Sequence, residues 1–400
     1  MSEYPIIVFF ALLMLGYGIF SKRAESSIVT APMVFTMVGI LVSFLPIELL
    51  KEGTKAPYVK VLAEVTLMIV LFVDASMINV KRLFRERHLP LRLLLIGLPI
   101  TMVMGALIAL PLFPGVNPWM LLLMALVLSP TDAALGQAVV TSKLVPEKIR
   151  QTISTESGLN DGIALPPILI CIAVLSDPSG EDIGIAYWLT FILKQFVYGP
   201  IIGGLVGWLG GRLVDFASER GWMNHPFQRL ASISLAILAY SLAESVHGNG
   251  FIAAFFAGLL LGARTEPTRE RLQEFGEAGS HALILVVFLL FGMLFVPVTY
   301  QYWDWRVMVY ALLSLTIIRM LPVSISLMGA GLPRTTVLFI GWFGPRGIAS
   351  VLYGLMVLLQ LGVAGYEKIY SVIALTVLLS ILLHGVSAVP FSKLLTNHKS

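Results

Sequence analysis

The chain has 400 residues, 57% of them hydrophobic and only 12% charged. That composition leaves too little polar surface to coat a water-soluble fold of this size, which excludes an ordinary soluble enzyme. The single cysteine, Cys171, lies inside an apolar run and excludes a Cys-based disulfide, metal or cluster framework, and the net charge is +4. The basic residues lie in short loops between apolar runs, so they read as orientation signals in a membrane protein and not as a nucleic-acid surface.

A spanning helix with its connection takes about 25–35 residues, so the length is filled by one membrane domain, with no soluble regulatory domain. In chain order the apolar segments are 4–21, 28–45, 61–78, 91–113, 119–142, 150–175, 185–214, 229–246, 249–263, 278–297, 305–328, 335–360 and 368–393. This predicts an all-α polytopic protein with thirteen transmembrane helices. Met1 to Pro5 carries no basic stretch, so the first segment is expected to be retained and not cleaved as a signal peptide. Segments two and nine are short, and the long fifth, sixth, seventh and twelfth are interrupted by Pro or Gly, a pattern of transporters.

Most of the 27 Lys and Arg follow odd-numbered segments, as at Lys22, Arg23, Lys81, Arg82, Arg85 and Arg87. Loops after even-numbered segments hold only Lys51, Lys55, Lys60, Arg306 and Lys368. The positive-inside rule then puts the N-terminus outside and the C-terminus in the cytoplasm, in the cell inner (plasma) membrane. Two six-span halves, about 1–175 and 229–393, flank the linking span 185–214; with thirteen spans they have opposite orientation, an inverted repeat. Each half carries a polar, Pro-containing break in its fifth member: Ser129-Pro130-Thr131-Asp132 and Gly344-Pro345-Arg346-Gly347.

A charge at mid-bilayer costs about 2.5–3.5 kcal/mol even on lenient scales, so each one needs a partner or a task. Asp132, Asp161, Arg319 and Arg346 all fall near the middles of their segments. Pro130 and Pro345 have no N–H and push aside the carbonyls of Leu126 and Gly341, so both spans are expected to unwind and present free carbonyls and half-helix ends. Half-helix C-termini favour a cation and N-termini the carboxylate of Asp132, while Arg346 can offset the same partial charges.

In segment six, Ser157 and Asp161 share one helix face and Glu156 and Asn160 the adjacent one. Asp161, Ser157, a freed carbonyl at Thr131 and water could supply the oxygen ligands of a desolvated Na⁺ or K⁺. A buried carboxylate holds either a proton or a cation at the same oxygens, and that competition is an antiport mechanism. A structural ion pair with Arg319 or Arg346 is the blander reading, and the favoured one for Glu156.

At these residues the chain resembles the monovalent cation/proton antiporters of the NhaP and eukaryotic sodium/proton exchanger type. The resemblance rests on SPTDA at Ser129, ESGLNDG at Glu156, AES and GNGFIAAFFAGLLLG through segments eight and nine, IIRMLPV around Arg319, and GPRGIAS at Gly344. It implies a scaffold or dimerisation bundle and a mobile core, a homodimer, and crossed broken helices in spans five and twelve. It also implies cation and proton binding at Asp161 with Asn160, Ser157 and the Thr131 backbone, Asp132 at the crossover, and Glu156 paired with Arg319, leaving Arg346 as the charge of the second broken helix. The substrates implied are Na⁺, K⁺ or Li⁺ and protons, and no cofactor is expected. Relatives with two adjacent acids at the segment-six position form the electrogenic branch. Here Asn160 precedes Asp161, so electroneutral 1:1 exchange is expected. The regulatory tails of larger relatives have no counterpart before Ser400.

Other residues read more plainly. Asp74, toward the cytoplasmic end of segment three, could attract cations into an inward funnel or snorkel to Lys81 and Arg82. Glu64 and Glu244 are expected to be solvated, His281 and His384 packed and neutral, and Lys194 either snorkelling outward or meeting a partner that the sequence does not identify. Gly199, Gly203, Gly207 and Gly211 recur every four residues, marking close helix packing between bundles or subunits. Two readings compete with antiport: a passive cation channel, and an intramembrane aspartyl protease using Asp132 and Asp161, which lacks the Gly-x-Gly-Asp string and leaves the arginines unexplained.

Overall fold

The computed structural model describes residues 4–25, 27–45, 57–78, 88–132, 135–140, 142, 144–176, 190–191, 193–262 and 266–397. Lys81 and Arg82, the bases that the sequence places near Asp74, lie outside them. Among the described residues no strand occurs. The helices are α1 (Tyr4–Glu25), α2 (Ala31–Val42), α3 (Pro57–Met77), α4 (His88–Leu112), α5 (Pro118–Val127), α6 (Gln137–Val140), α7 (Glu147–Ser176), α8 (Lys194–Glu219), α9 (His225–Ser245), α10 (Gly250–Gly262), α11 (Glu266–Leu290), α12 (Trp305–Leu315), α13 (Ile317–Ser326), α14 (Arg334–Trp342), α15 (Ile348–Leu361) and α16 (Glu367–Asn397). The chain continues past α11 through one π-turn, Phe291–Phe295.

Six described helical stretches are long and apolar enough to cross a bilayer: His88–Leu112, Glu147–Ser176, Lys194–Glu219, Ala278–Tyr302, Trp305–Ser326 and Glu367–Lys393. Four shorter apolar helices accompany them, among them Pro118–Val127 and Ile348–Leu361. These two flank the expected breaks. Segment five, read as 119–142, stops being helical at Val127, and segment twelve, read as 335–360, divides into α14 and α15. In each case the helix ends three residues before the proline, because the residue preceding a proline is driven out of the α region.

The chain forms two compact units, one of residues 1–63, 88–160 and 284–400, the other of 64–87 and 161–283. In the first, α4 packs on α5, α12 on α16, and α13 on α14. A core of Leu89, Leu93, Ile149, Ile153, Phe339, Ile340 and Phe343 buries the end of α14 and the start of the unwound stretch after it, which fixes where the second break begins.

In the second unit α8 lies along α10, with α9 against both. A Cβ at Gly203 would collide with the backbone of Ala253, and one at Gly207 with that of Ala257. The four-residue glycine stripe therefore brings two helix backbones together inside this unit, where small residues permit close approach.

Candidate cation and proton site

Unwinding a span inside the protein exposes backbone groups that water cannot reach, and each needs a substitute partner. The stretch after α5 shows how this is met. Leu126 O accepts from Ser129 Oγ at 2.8 Å, and Val127 O from Ser350 Oγ at 2.8 Å. Ser129 O and Pro130 O both accept from Nη1 of Arg346, the latter at 3.1 Å. Thr131 O accepts from Ser157 Oγ at 2.7 Å. The sequence led us to expect free carbonyls here. In the structure each of these five carbonyls accepts a hydrogen bond from a hydroxyl or a guanidinium, since a buried carbonyl left unpaired costs about 1–3 kcal/mol, and each oxygen has a second lone pair.

The second break is tied to the first. Asp132 donates its N–H to Pro345 O at 2.8 Å, and its Oδ2 accepts the N–H of Ile348, the first residue of α15, at 2.8 Å. A Cβ on Gly347 would run into that carboxylate, and one on Gly344 into the Arg319 guanidinium. Both glycines are thus required by the close approach of a charged group. Arg346 is wholly buried, and its Nε and Nη2 have no hydrogen-bond partner among the described residues.

α7 supplies the remaining polar groups. Glu156 and Arg319 form a two-pronged ion pair, Nη1 to Oε1 at 2.6 Å and Nη2 to Oε2 at 2.8 Å, with both residues 1% exposed. One turn on, Asn160 donates Nδ2–H to Thr131 Oγ1 at 2.7 Å, and its Oδ1 is buried without a hydrogen-bond partner among the described residues. Thr131 is thus held by Ser157 through its carbonyl and by Asn160 through its hydroxyl. Asp161, 5% exposed, follows Asn160 on α7 and stands one turn beyond Ser157. Asp74 is half-buried in α3.

Sequence reasoning passed over Ser380 and His384 of α16 as contributors here. Ser380 Oγ accepts the Arg346 N–H at 2.7 Å, and His384 Nε2 lies 2.9 Å from Trp342 O. Their four-residue spacing on an apolar helix was the available signal. Of the plainer residues, His384 is buried and His281 exposed, Lys194 lies in a π-turn, and the exposed Glu244 accepts the N–H of Gly250 at 2.8 Å through Oε1.

Two half-helices meeting at unwound peptides, with buried charges of both signs at the meeting point, are an arrangement that recurs in membrane transporters. A family model, "sodium/hydrogen exchanger, transmembrane", matches residues 8–394, and the chain belongs to that family. It is 27% identical over 337 residues to the K(+)/H(+) antiporter NhaP of Alkalimonas amylolytica, covering 83% of this chain and 57% of that protein. It is 25% identical over 304 residues to a Na(+)/H(+) antiporter of Schizosaccharomyces pombe, covering 69% of this chain and 65% of that one. The chain therefore spans less than two thirds of the length of these curated relatives. Among solved structures, the sodium proton antiporter MjNhaP1 from Methanocaldococcus jannaschii at pH 8 superposes with a TM-score of 0.78 at 16% identity, covering 96% of this chain and all of that one.

Proposed function

We propose that the protein is a secondary transporter exchanging Na⁺ or K⁺ for H⁺, one for one and without net charge movement, by alternating access across the cell membrane. Asp161 carries the proton or the cation in turn. Ser157, Asn160 and Thr131 complete the cation's oxygen shell. Asp132 and Arg346 hold the crossover, Glu156 and Arg319 brace it, and Asp74 draws cations toward the cytoplasmic mouth. The membrane domain has thirteen spans in two inverted repeats, the N-terminus outside and the C-terminus in the cytoplasm, and works as a homodimer.

The observation that carries this reading is the convergence on Thr131. Its carbonyl and hydroxyl are held by Ser157 and Asn160, neighbours of Asp161 on α7, and Asn160 Oδ1 is buried with no hydrogen-bond partner among the described residues. Oxygens in a dry interior are ligands for a desolvated alkali ion. Sharing one carboxylate between proton and cation makes the exchange neutral, since the site is discharged by one or the other. The relatives' names divide between K⁺ and Na⁺, so both ions are candidate substrates. The carboxylate of Asp132 is engaged as a helix cap, which disfavours its use with Asp161 as a protease pair.

The test is pH-dye fluorescence in proteoliposomes, with Na⁺, Li⁺ and K⁺ added in turn. Wild type dissipates the proton gradient with at least one ion, unaffected by clamping the membrane potential, whereas Asp161→Asn does not. Exchange surviving that substitution overturns the assignment of Asp161, and a current that tracks transport overturns the 1:1 stoichiometry.

A further inference from the structure

Residues 343–347 lie between α14 and α15, and from Gly344 to Arg346 the helical ladder is interrupted, so polar groups around this gap draw partners from elsewhere in the protein. One face of α16 provides them. At the C-terminal end of α14, Trp342 O faces His384 Nε2 at 2.9 Å, and the indole lies over the imidazole at 4.9 Å between ring centres. Trp342 Nε1 donates to Ser387 Oγ at 2.8 Å. Within the gap, Arg346 N donates to Ser380 Oγ at 2.7 Å. His384 Nδ1 in turn lies 3.1 Å from Ser380 Oγ and 3.0 Å from Ser380 O.

The donor roles follow from the chemistry of the partners. A carbonyl can only accept, so Nε2 carries the proton given to Trp342 O. With the proton on Nε2 of a neutral ring, Nδ1 is an acceptor and takes the Ser380 hydroxyl hydrogen, and its 3.0 Å approach to Ser380 O is then a contact without a hydrogen bond. That leaves a lone pair on Ser380 Oγ for the Arg346 N–H. Arg346 N–H, Ser380 O–H and His384 Nε2–H thus point in one direction along a continuous chain from the gap back to the end of α14.

We propose that Ser380 and His384 form a clasp that positions the backbone of Arg346, and through its guanidinium the peptides next to Thr131. Arg346 reaches Ser129 O and Pro130 O from a main chain pinned by Ser380. Thr131, the next residue, offers the carbonyl and hydroxyl met by Ser157 and Asn160. Releasing the clasp frees the main chain of Arg346, lets its guanidinium drift, and loosens Thr131. The two residues touch neither cation nor proton; they are positioning residues, and this inference rests on the antiport reading above.

The experiment measures exchange at increasing cation concentration in proteoliposomes of wild type, Ser380→Ala, His384→Leu and His384→Gln, alongside amide hydrogen exchange of peptides covering 343–348. Loss of correctly folded protein lowers the maximal rate alone. Loss of positioning raises the half-saturating cation concentration, by at least threefold in Ser380→Ala and His384→Leu, and speeds amide exchange in 343–348. His384→Gln, whose side-chain amide can still donate to Trp342 O, recovers most of both. Active Ser380→Ala and His384→Leu proteins with half-saturation within twofold of wild type overturn the clasp, as does amide exchange that does not change. Wild type inactive with every cation overturns the antiport reading instead, and this inference with it.

Discussion

Asp132 caps a helix that begins 216 residues further along the chain: its Oδ2 accepts the N–H of Ile348 at 2.8 Å. The first N–H groups of a helix have no partner within it and carry the positive end of its dipole, so a carboxylate there supplies both a hydrogen bond and a charge. The converse holds at the other end of the crossover. The guanidinium of Arg346 binds Ser129 O and Pro130 O just past the C-terminus of the helix Pro118–Val127, where the dipole is negative. Each broken span lends its charge to the half-helix of the other, so neither break is stable without its counterpart.

Separating the hydrogen bond at Asp132 from its charge gives the first prediction. Asp132→Asn retains an oxygen for the Ile348 N–H, whereas Asp132→Ala leaves that buried donor unpaired, at a cost of about 1–3 kcal/mol. Thermal unfolding in detergent should place Asp132→Ala clearly below Asp132→Asn, with Asp132→Asn nearer wild type. Equal melting temperatures for the two variants would mean the cap contributes no hydrogen-bond energy.

The Glu156–Arg319 pair is almost fully desolvated. Removing one member of such a pair strands the other charge, at about 3–5 kcal/mol, while replacing both with apolar groups of similar size costs far less. Glu156→Leu and Arg319→Met should therefore each melt well below the double variant. The countervailing result is additive losses, which would show that the two side chains do not act as a pair. Gly344, whose Cβ would meet the guanidinium, extends the same test: Gly344→Ala should disturb the pair and resemble Arg319→Met.

The sequence made the positions of the breaks legible for a local reason. A proline with a central charge in an apolar run violates helix geometry and hydrocarbon solvation together, so Pro130 beside Asp132 and Pro345 beside Arg346 stand out without a structure. The partners of the freed backbone groups were not legible. Ser129, Ser350 and Ser380 are ordinary serines in apolar surroundings, and a serine in a membrane helix commonly bonds the carbonyl three or four residues back in its own helix, as Ser129 does with Leu126 and Ser324 with Met320. Ser350 instead reaches Val127, 223 residues away, and Ser380 reaches Arg346. Nothing in the local pattern separates the two kinds. An apolar helix around His384 points to a packed ring, and both ring nitrogens are engaged, by Ser380 and Trp342, but its placement against the second break depends on how α16 lies on α14. The glycine stripe of Lys194–Glu219 implies the close packing but not the neighbour, Gly250–Gly262.

That neighbour defines a second-unit prediction. Because a Cβ at Gly207 would enter the Ala257 backbone, Gly207→Val must force the two helices apart and forfeit their packing. Overpacking of this kind costs about 1–3 kcal/mol or more. At Gly16 a Cβ would find nothing within 4 Å, so Gly16→Val serves as the control and should stay near wild type. Comparable yields and melting temperatures for both variants would dissociate the stripe from helix packing.

Acid should weaken one tie outside the hydrocarbon. Asp304 caps the helix that follows it, accepting from the Val307 N–H at 3.0 Å through Oδ1, while Oδ2 meets Lys368 Nζ at 2.5 Å. Partial burial pulls its carboxyl upward, but the Lys368 hydrogen bond and charge and the Val307 N–H together outweigh this and hold it below the usual carboxylate range. A lowered folded-state value means that the ionised form is the one stabilised. Its contribution is present above the ordinary aspartate value, about 3.9, and is lost as pH falls through the folded value. Both side chains are about two-fifths exposed, so solvent screening limits the pair to about 1 kcal/mol. Asp304→Asn keeps the cap oxygen but cannot titrate. The melting-temperature advantage of wild type over Asp304→Asn should be present at pH 7 and shrink as pH drops below about 4; an advantage that stays constant over that range would place the stabilisation in the cap alone and not in the charge.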